Sequence, residues 1–274
     1  MRIAVVAPSS RFEDWQAVRD QVGALAAARH SGLEVHFHPQ CGLVDGHFAG
    51  TDAQRTDALV EVANDPSFDA IWFARGGYGS NRIAEAALAR FGPAARDKAW
   101  LGYSDAGFLL AGLYRAGYAD VAHGPMPRDV SRKGGEAAVG RALDWLAERS
   151  PHALEPGLDR GKRHAAFNLT VLGMLLGTAL EPDLADHVLI VEEVSEHLYA
   201  IDRAMFHLSA SANLRRVAGL RLGRVSDVLS NDPEFGEDAE TIVRHWCERA
   251  GIPFFGRADI GHDAANKVVP FGRV

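Results

Sequence analysis

Short apolar segments that alternate with helix-like stretches constrain the fold of this chain more than any other feature. Residues 3–7, 70–73 and 99–102 form apolar runs. Each run is too short for a buried helix and has the character of a strand that is covered on both faces. Helix-like spacing lies between them, through Val18, Val22, Leu25 and Ala26 and over residues 83–89, and a further strand is predicted at 33–37. The alternation predicts a parallel sheet covered by helices.

The chain divides into two such parts. Residues 1–130 form the predicted N-terminal parallel-sheet α/β domain, and residues 131–163 form a connecting region rich in charge, glycine and proline, with one helix at 137–147. Residues 164–274 form a C-terminal, β-rich α/β domain. Its predicted elements are a helix at 169–176, a strand at 188–191, a helix beginning near Asp202, an apolar stretch at 225–229 and a strand at 253–255.

Composition narrows the classes of partner. The 274 residues carry a formal net charge of -7, which argues against strong attraction to nucleic acid or to anionic membranes and favours a small-molecule or peptide substrate. Cys41 and Cys247 lie far apart without a C-x-x-C partner, which predicts two free thiols in a reducing compartment. The first residues lack a signal-peptide core, and no run approaches the roughly 20 apolar residues of a membrane span. We therefore expect a cytoplasmic protein without membrane contact.

Ser104 stands where an apolar strand is predicted to end and a helix to begin, in Gly102-Tyr103-Ser104-Asp105-Ala106. A sharp turn there would lift its hydroxyl above the sheet and aim the first helical N–H groups at a developing oxyanion. Strand and helix backbones crowd at such an elbow, and Gly102 and Ala106 are small enough for it. The pattern differs from G-x-S-x-G in its last position, and a serine that caps a helix is an equally available interpretation.

A second loop at a predicted strand end is rich in glycine. Residues 75–82 follow the strand at 70–73, so exposed backbone N–H groups could converge there on an anion, beyond the carboxyl ends of the strands where function gathers in such sheets. Arg82 occupies the place of the third glycine, so the loop is not a dinucleotide fingerprint. The alternative is a turn that only shapes the fold.

The second half offers an acid and a base. Glu192 ends an apolar strand, where burial and a cationic partner could shift the pKa of its carboxylate. The alternative is a solvated residue that only caps the strand, which is common at such positions. His262 follows the last predicted strand by a loop, and most of the 12 histidines must be structural. A hydrolytic serine needs a base and an acid that orients the base, and Ser104, Glu192 and His262 could fill those roles. Glu196 and His197 are adjacent but lack a metal-ligand pattern, so no metal and no cofactor are predicted.

Many short motifs in shared order resemble the LD-carboxypeptidase family, which includes muramoyltetrapeptide carboxypeptidases and microcin C self-immunity peptidases. In the first half the matching residues are 6–10, 49–52, 74–79, 102–105 and 123–126. In the second half they are 168–169, 175–178, 191–193, 199–203, 261–262 and 270–272.

The resemblance implies a serine peptidase with a Ser-Glu-His triad, which here is Ser104, Glu192 and His262. It implies an oxyanion hole formed by the backbone N–H groups of Asp105 and Gly77. It further implies a nucleophile elbow in the N-terminal domain, an active site between the two domains and a homodimer.

The sequence leaves the roles of several residues open. Glu193 stands where the family commonly has aspartate, so it competes with Glu192 for the triad position. Ala165-Ala166-Phe167 replaces two glycines before Asn-Leu, so the backbone is expected to run differently there and alter the pocket. Arg75 or Arg203 could receive the substrate carboxylate, or form structural ion pairs. His123 is predicted to be structural.

The resulting hypothesis is a carboxypeptidase that cleaves an L,D-peptide bond and releases terminal D-alanine from muropeptide tetrapeptide stems during cell-wall recycling. One rival is a microcin-type immunity peptidase that cleaves an aminoacyl-nucleotide amide; it needs an aromatic stacking surface, for which the sequence offers Trp72 and Phe167. Another rival is a non-catalytic muropeptide-binding module.

Overall fold

The computed structural model describes residues 1–273 and has two mostly parallel sheets with helices packed on them. The first sheet contains β1 to β5, which are Arg2–Val6, Glu34–Phe37, Ala70–Phe73, Ala99–Gly102 and Val121–His123. Its helices are α1 (Trp15–Arg29), α2 (Asp52–Asn64), α3 (Ala84–Leu88) and α4 (Gly107–Arg115). A fifth helix, α5 (Gly135–Glu148), follows. The predicted α/β class and the parallel first sheet are confirmed.

Burial explains why the central strands form. All four residues of β3 and of β4 are buried, so these strands lie between helical layers, as their continuous apolar character predicts. The strands run in the order β5-β4-β3-β1-β2, and neighbouring pairs are parallel. Because all these strands point the same way, β3 and β4 end at one edge, where the glycine-rich loop and Ser104 follow them.

The second sheet contains the later strands of the chain. These are β6 (Arg163–Asn168), β7 (His187–Val194), β8 (Gly219–Ser226) and β9 (Phe254–Arg257), which are parallel neighbours in that order. Helices α6 (Leu169–Leu175), α7 (Leu198–Ala210) and α8 (Ala239–Ala250) belong to this half. The segment at Ala165-Ala166-Phe167 runs as a regular strand in continuous register with β7.

The end of the chain joins both sheets. Strand β10 (Val269–Pro270) pairs antiparallel with β5, and β11 (Gly272–Arg273) pairs antiparallel with β6. Phe271 lies between them in a core cluster that also holds Phe73 of the first sheet and Phe167 of the second. The two halves therefore pack against each other through a shared apolar core.

The connecting region contains the helix that the sequence predicts, and this helix covers the first sheet. Val139, Leu143 and Leu146 of α5 share a core cluster with Ile3 and Val5 of β1. Within residues 1–273, no helix combines the length and apolar character needed to cross a membrane.

Candidate active site

Ser104 occupies the strand-to-helix elbow that the sequence predicts. It begins a short 3-10 helix, Ser104–Ala106, that continues directly into α4, and its side chain is partly exposed. Its φ is +58°, in the left-handed region that a non-glycine residue seldom adopts. A Cβ atom added at Gly102 would lie 2.8 Å from the Phe73 ring and 3.2 Å from Ala106, so the elbow requires its glycine. Such strain is typical of functional sites.

The second half of the chain supplies a histidine and carboxylate pair. The Nδ1 atom of His262 lies 2.6 Å from Oε2 of Glu192, whose side chain is fully buried. His262 is also buried, and within the described part of the chain its Nε2 atom has no hydrogen-bond partner. One ring nitrogen is thus oriented by a carboxylate, and the other is a buried atom without a hydrogen bond to any of residues 1–273.

The Glu192 carboxylate sets the protonation of His262. Burial lowers the pKa of His262, but the charge and hydrogen bond of Glu192 outweigh burial, so the pKa lies above the ordinary histidine value. The same pairing stabilises the imidazolium that forms when the base takes a proton.

Tyr103 brings this pair next to the elbow. Its ring packs against the His262 ring with 4.8 Å between centroids, and it directly precedes Ser104. Among residues 1–273 the Oγ atom of Ser104 and the Nε2 atom of His262 do not form a hydrogen bond with each other. The structure thus places the elbow and the histidine and carboxylate pair side by side, without the hydrogen bond that proton transfer from Ser104 requires.

The glycine-rich loop lies against Ser104, and the N–H group of Gly77 is among those of the loop that have no acceptor within residues 1–273. A Cβ atom added at Gly76 would lie 2.8 Å from the Oγ atom of Ser104. The N–H of Tyr78 donates to Ser10 Oγ (3.0 Å), whereas those of Gly79 and Ser80 donate to the Asp105 carboxylate (3.3 and 2.8 Å). In the described chain the N–H of Gly77 has no acceptor, and Gly77 lines the same cleft as Ser104.

The carboxylate of Asp105 is a functional feature that the sequence reasoning missed. It accepts hydrogen bonds from Ser9 Oγ (2.5 Å) and from two N–H groups of the glycine-rich loop. Asp105 also contributes the backbone N–H that follows Ser104. A single buried residue therefore links the elbow to the loop, and the adjacent Ser-Asp pair was the only sequence signal for it.

Ser104 opens into a cleft of about 620 Å³ between the two halves. Phe108, Val171, Met174 and Leu180 form its apolar wall, and Tyr78 lies on the glycine-rich side. Within the described residues its charged lining groups are acidic: Glu85, Asp105, Glu193 and Glu196. Two larger grooves, of about 760 and 800 Å³, do not include Ser104 in their lining.

The two candidate arginines lie outside the lining of this cleft. Arg75 is half-buried and donates to the backbone oxygen of Arg11 (2.6 Å), and burial lowers its pKa. Arg203 is exposed on α7, with its guanidinium 5.6 Å from the Tyr199 ring centroid. The Arg75 guanidinium nevertheless lies near the glycine-rich loop, because a Cβ atom added at Gly77 would be 3.5 Å from its Nη2 atom.

Glu193 and His123 have other surroundings. Glu193 accepts hydrogen bonds from the Asn168 amide (2.6 Å) and from both the N–H and the hydroxyl of Thr170 (2.9 and 2.7 Å), and burial raises its pKa. It therefore holds the start of α6, while Glu192 contacts His262. Burial lowers the pKa of His123 to about 3, so this imidazole stays uncharged.

The residues considered as metal ligands or as stacking surfaces do not have the surroundings that these roles require. No group of three or more His, Cys, Asp or Glu side chains within residues 1–273 is arranged to hold a metal ion, and Glu196 and His197 are not part of one. Trp72 and Phe167 are 0% and 1% exposed, so neither presents a face to a ligand.

Comparison with known families gives two matches along the chain. The profile of the LD-carboxypeptidase N-terminal domain matches residues 3–124, and that of the C-terminal domain matches residues 164–274. Together they cover most of the sequence and leave out the connecting segment.

Individual proteins give a similar result. The murein tetrapeptide carboxypeptidase of Pseudomonas aeruginosa is 26% identical over 99% of this chain and 91% of its own length. The structure of muramoyltetrapeptide carboxypeptidase from Oxalobacter formigenes has a TM-score of 0.79 at 23% identity and covers 99% of this chain and 93% of its own. MccF in complex with glutamyl sulfamoyl guanosine has a TM-score of 0.79 at 17% identity, with 99% and 91% covered. The two structures share this fold.

Proposed function

The chain belongs to the LD-carboxypeptidase family, and we propose that it is a serine carboxypeptidase that cleaves an L,D-peptide bond. The observation that carries the proposal is the buried Glu192–His262 pair, whose free Nε2 atom belongs to a ring packed against Tyr103, beside the elbow serine. A nucleophile, a base and an orienting acid are the groups that acyl transfer requires.

The proposed reaction begins when the Oγ atom of Ser104 attacks the carbonyl carbon of the scissile bond while Nε2 of His262 takes the hydroxyl proton. The carbonyl oxygen becomes an oxyanion, and the free N–H groups of Gly77 and Asp105 donate to it. The C–N bond then breaks as His262 returns the proton to the leaving amine. Water, activated by the same histidine, releases the acyl group from Ser104.

The proposed substrate is a muropeptide tetrapeptide stem, from which terminal D-alanine is released during cell-wall recycling. The name of the Pseudomonas aeruginosa relative supports this substrate. The acidic lining of the cleft and the net charge of -7 do not favour a polyanionic ligand. A cytoplasmic location and a homodimer are parts of the same proposal.

The principal rival is cleavage of an aminoacyl-nucleotide amide, which the ligand named in the MccF structure suggests. Such a substrate needs an aromatic face for its base, and burial removes Trp72 and Phe167 from that role. Tyr78 is 49% exposed in the cleft and is the aromatic residue that could supply the face.

A single experiment separates these functions. The purified protein is incubated in parallel with a tetrapeptide stem and with glutamyl sulfamoyl guanosine, and D-alanine and the released nucleoside are quantified. We expect D-alanine release that is lost in Ser104→Ala and retained in Ser67→Ala, an exposed serine in a loop before β3. Nucleoside release alone would favour the rival. Binding of the stem without any cleavage would favour a non-catalytic module.

A further inference from the structure

We infer, on the premise that the proposed function holds, that Arg132 is a positioning residue that fixes His262 relative to Ser104. The need for such a residue follows from the fold. Ser104 follows β4 of the first sheet. Glu192 lies within β7 of the second sheet, and His262 lies on the loop after β9. The base and the nucleophile therefore belong to different sheets, and proton transfer is sensitive to errors of about 1 Å in their separation.

Arg132 contacts the histidine directly. Its Nη1 group donates a hydrogen bond of 2.7 Å to the backbone oxygen of His262, which is 130 residues away in the sequence. Its Nε group donates to Oδ1 of Asp129 at 3.0 Å. The planar guanidinium thus donates one hydrogen bond to a backbone carbonyl and another to a carboxylate. A lysine ammonium cannot reproduce these two hydrogen bonds in the same geometry.

Asp129 extends this connection to the elbow. Its Oδ1 atom also accepts the Tyr103 hydroxyl at 2.8 Å, and its Oδ2 atom accepts the Met126 N–H at 2.9 Å. Asp129 and Tyr103 are 4% and 1% exposed, so these charge-assisted bonds are poorly screened by water. The Tyr103 ring meanwhile packs on the His262 ring.

These contacts form a closed chain. It runs from Tyr103, which precedes the nucleophile, through the Asp129 carboxylate and the Arg132 guanidinium to the backbone of His262, and returns through the contact between the two rings. Arg141 also holds this loop, since its Nε group donates to Asn266 at 3.0 Å, but it has no hydrogen bond to Asp129 or Tyr103. Arg132 therefore connects the base to the elbow, in addition to stabilising the loop.

The test measures how fast a fluorophosphonate probe labels Ser104, because this reaction needs an activated serine but no particular peptide. We expect Arg132→Ala to slow labelling, and kcat on the tetrapeptide stem, by about 100-fold with little change in KM. Arg132→Lys should recover only part of the loss. The control is Arg90→Ala, which removes an exposed arginine paired with Asp57 and should leave both rates unchanged.

Chemical rescue distinguishes positioning from a general loss of stability. The Arg132 side chain is 42% exposed, so guanidinium ion can enter the space that Arg132→Ala leaves. Guanidinium chloride, well below unfolding concentrations, should restore labelling in this variant and leave Arg90→Ala unaffected. If Arg132→Ala does not fold, Tyr103→Phe tests the same chain, because it keeps the ring and removes only the bond to Asp129.

The outcomes separate this inference from the proposed function. Labelling of Ser104 in the wild type without D-alanine release would contradict the proposed substrate, while the effect of Arg132→Ala on labelling still decides the positioning role. Unchanged labelling in the Arg132 variants or in Tyr103→Phe would overturn the inference. Slower labelling that guanidinium does not restore in a folded Arg132→Ala would also overturn it.

Discussion

At the scale of single residues, the site depends on how hydrogen bonds are distributed. Ser104 Oγ, His262 Nε2 and the N–H groups of Gly77 and Asp105 lack hydrogen-bond partners within residues 1–273, whereas the N–H groups at 78–80 of the glycine-rich loop are paired. Buried polar groups without partners are uncommon in folded proteins. His262 Nε2 is such a buried atom, and the proposed acyl transfer gives it a partner in the hydroxyl proton of Ser104.

The raised pKa of His262 predicts the pH dependence of the reaction. The base must be neutral to accept the serine proton, so kcat/KM should rise with pH through the His262 pKa, with a midpoint above about 6.5. Glu192→Gln removes the charge that raises this pKa while burial still lowers it, so the midpoint should move to lower pH and the rate should fall. The check is kcat/KM as a function of pH for both proteins. A midpoint unchanged in Glu192→Gln would contradict this assignment.

Gly77 offers a test of the oxyanion hole. Its φ is +106°, and an added Cβ atom would lie 2.2 Å from Ser10 Oγ, so Gly77→Ala must displace the loop. We expect kcat to fall by about 100-fold or more, the effect of losing one oxyanion donor. Gly117→Ala is the matched control, since Gly117 has φ +80° and open space around its Cβ position. Equal losses of kcat in the two variants, measured with the stem peptide, would argue against an oxyanion role for Gly77.

The sequence predicted residue types and order better than contacts. Ser104, Glu192 and His262 could be chosen because acyl transfer needs these groups and because family motifs contain them. The carboxylate of Asp105 could not be assigned, since its partners Ser9, Gly79 and Ser80 lie at least 25 residues away and meet it only in the folded chain.

At the scale of elements, strand β7 separates the two adjacent glutamates. Successive side chains of a strand point to opposite faces. Glu192 contacts His262, and Glu193 contacts Asn168 and Thr170 at the start of α6. The sequence left this choice open because the phase of the strand relative to its neighbours is a tertiary property.

The two glutamates should therefore respond differently to the same change. Glu193→Gln disturbs bonds to Asn168 and Thr170, and we expect it to lower the free energy of unfolding by about 1–3 kcal/mol with kcat reduced only a few-fold. Glu192→Gln should lower kcat by at least about 100-fold. Urea unfolding and initial rates measure the two effects. A larger loss of kcat in Glu193→Gln would exchange the proposed roles.

Element prediction succeeded where one apolar pattern dominates a segment. Strands β3 and β4 have the predicted bounds because every residue in them is buried. Strand β5 has only three residues, too few to show a period. Helix α8 was missed because it is strongly charged and buries only Ile242, Val243 and Cys247. Strand β6 begins with Arg163 and His164, which read as polar although His164 is fully buried.

At the scale of the whole molecule, the last strands bind the two sheets together. The division into residues 1–130 and 164–274 did not anticipate that β10 would return to the first sheet. A two-residue strand leaves no sequence pattern, and its partner β5 is defined only by the tertiary fold. The cleft with Ser104 lies between the halves that this segment joins.

Phe271 tests this connection. It is 4% exposed and packs against Phe167 of β6 and Tyr114 of α4, with ring centroids 5.1 and 5.5 Å away. We expect Phe271→Ala to lower the free energy of unfolding by about 3–5 kcal/mol. Phe206→Ala, at a 57% exposed phenylalanine, should cost less than about 1 kcal/mol. Chemical denaturation measures both, and similar costs would contradict a structural role for Phe271 between the sheets.

The central claim is that Ser104 is a nucleophile activated by His262. Treating the folded protein with a fluorophosphonate probe and mapping the modified peptide by mass spectrometry tests it most directly, because only an activated serine displaces the fluoride readily. The account predicts one adduct, on Ser104, which is lost in Ser104→Ala and forms far more slowly in His262→Ala. An adduct on another residue, or labelling of Ser104 that proceeds equally fast in His262→Ala, would contradict the account.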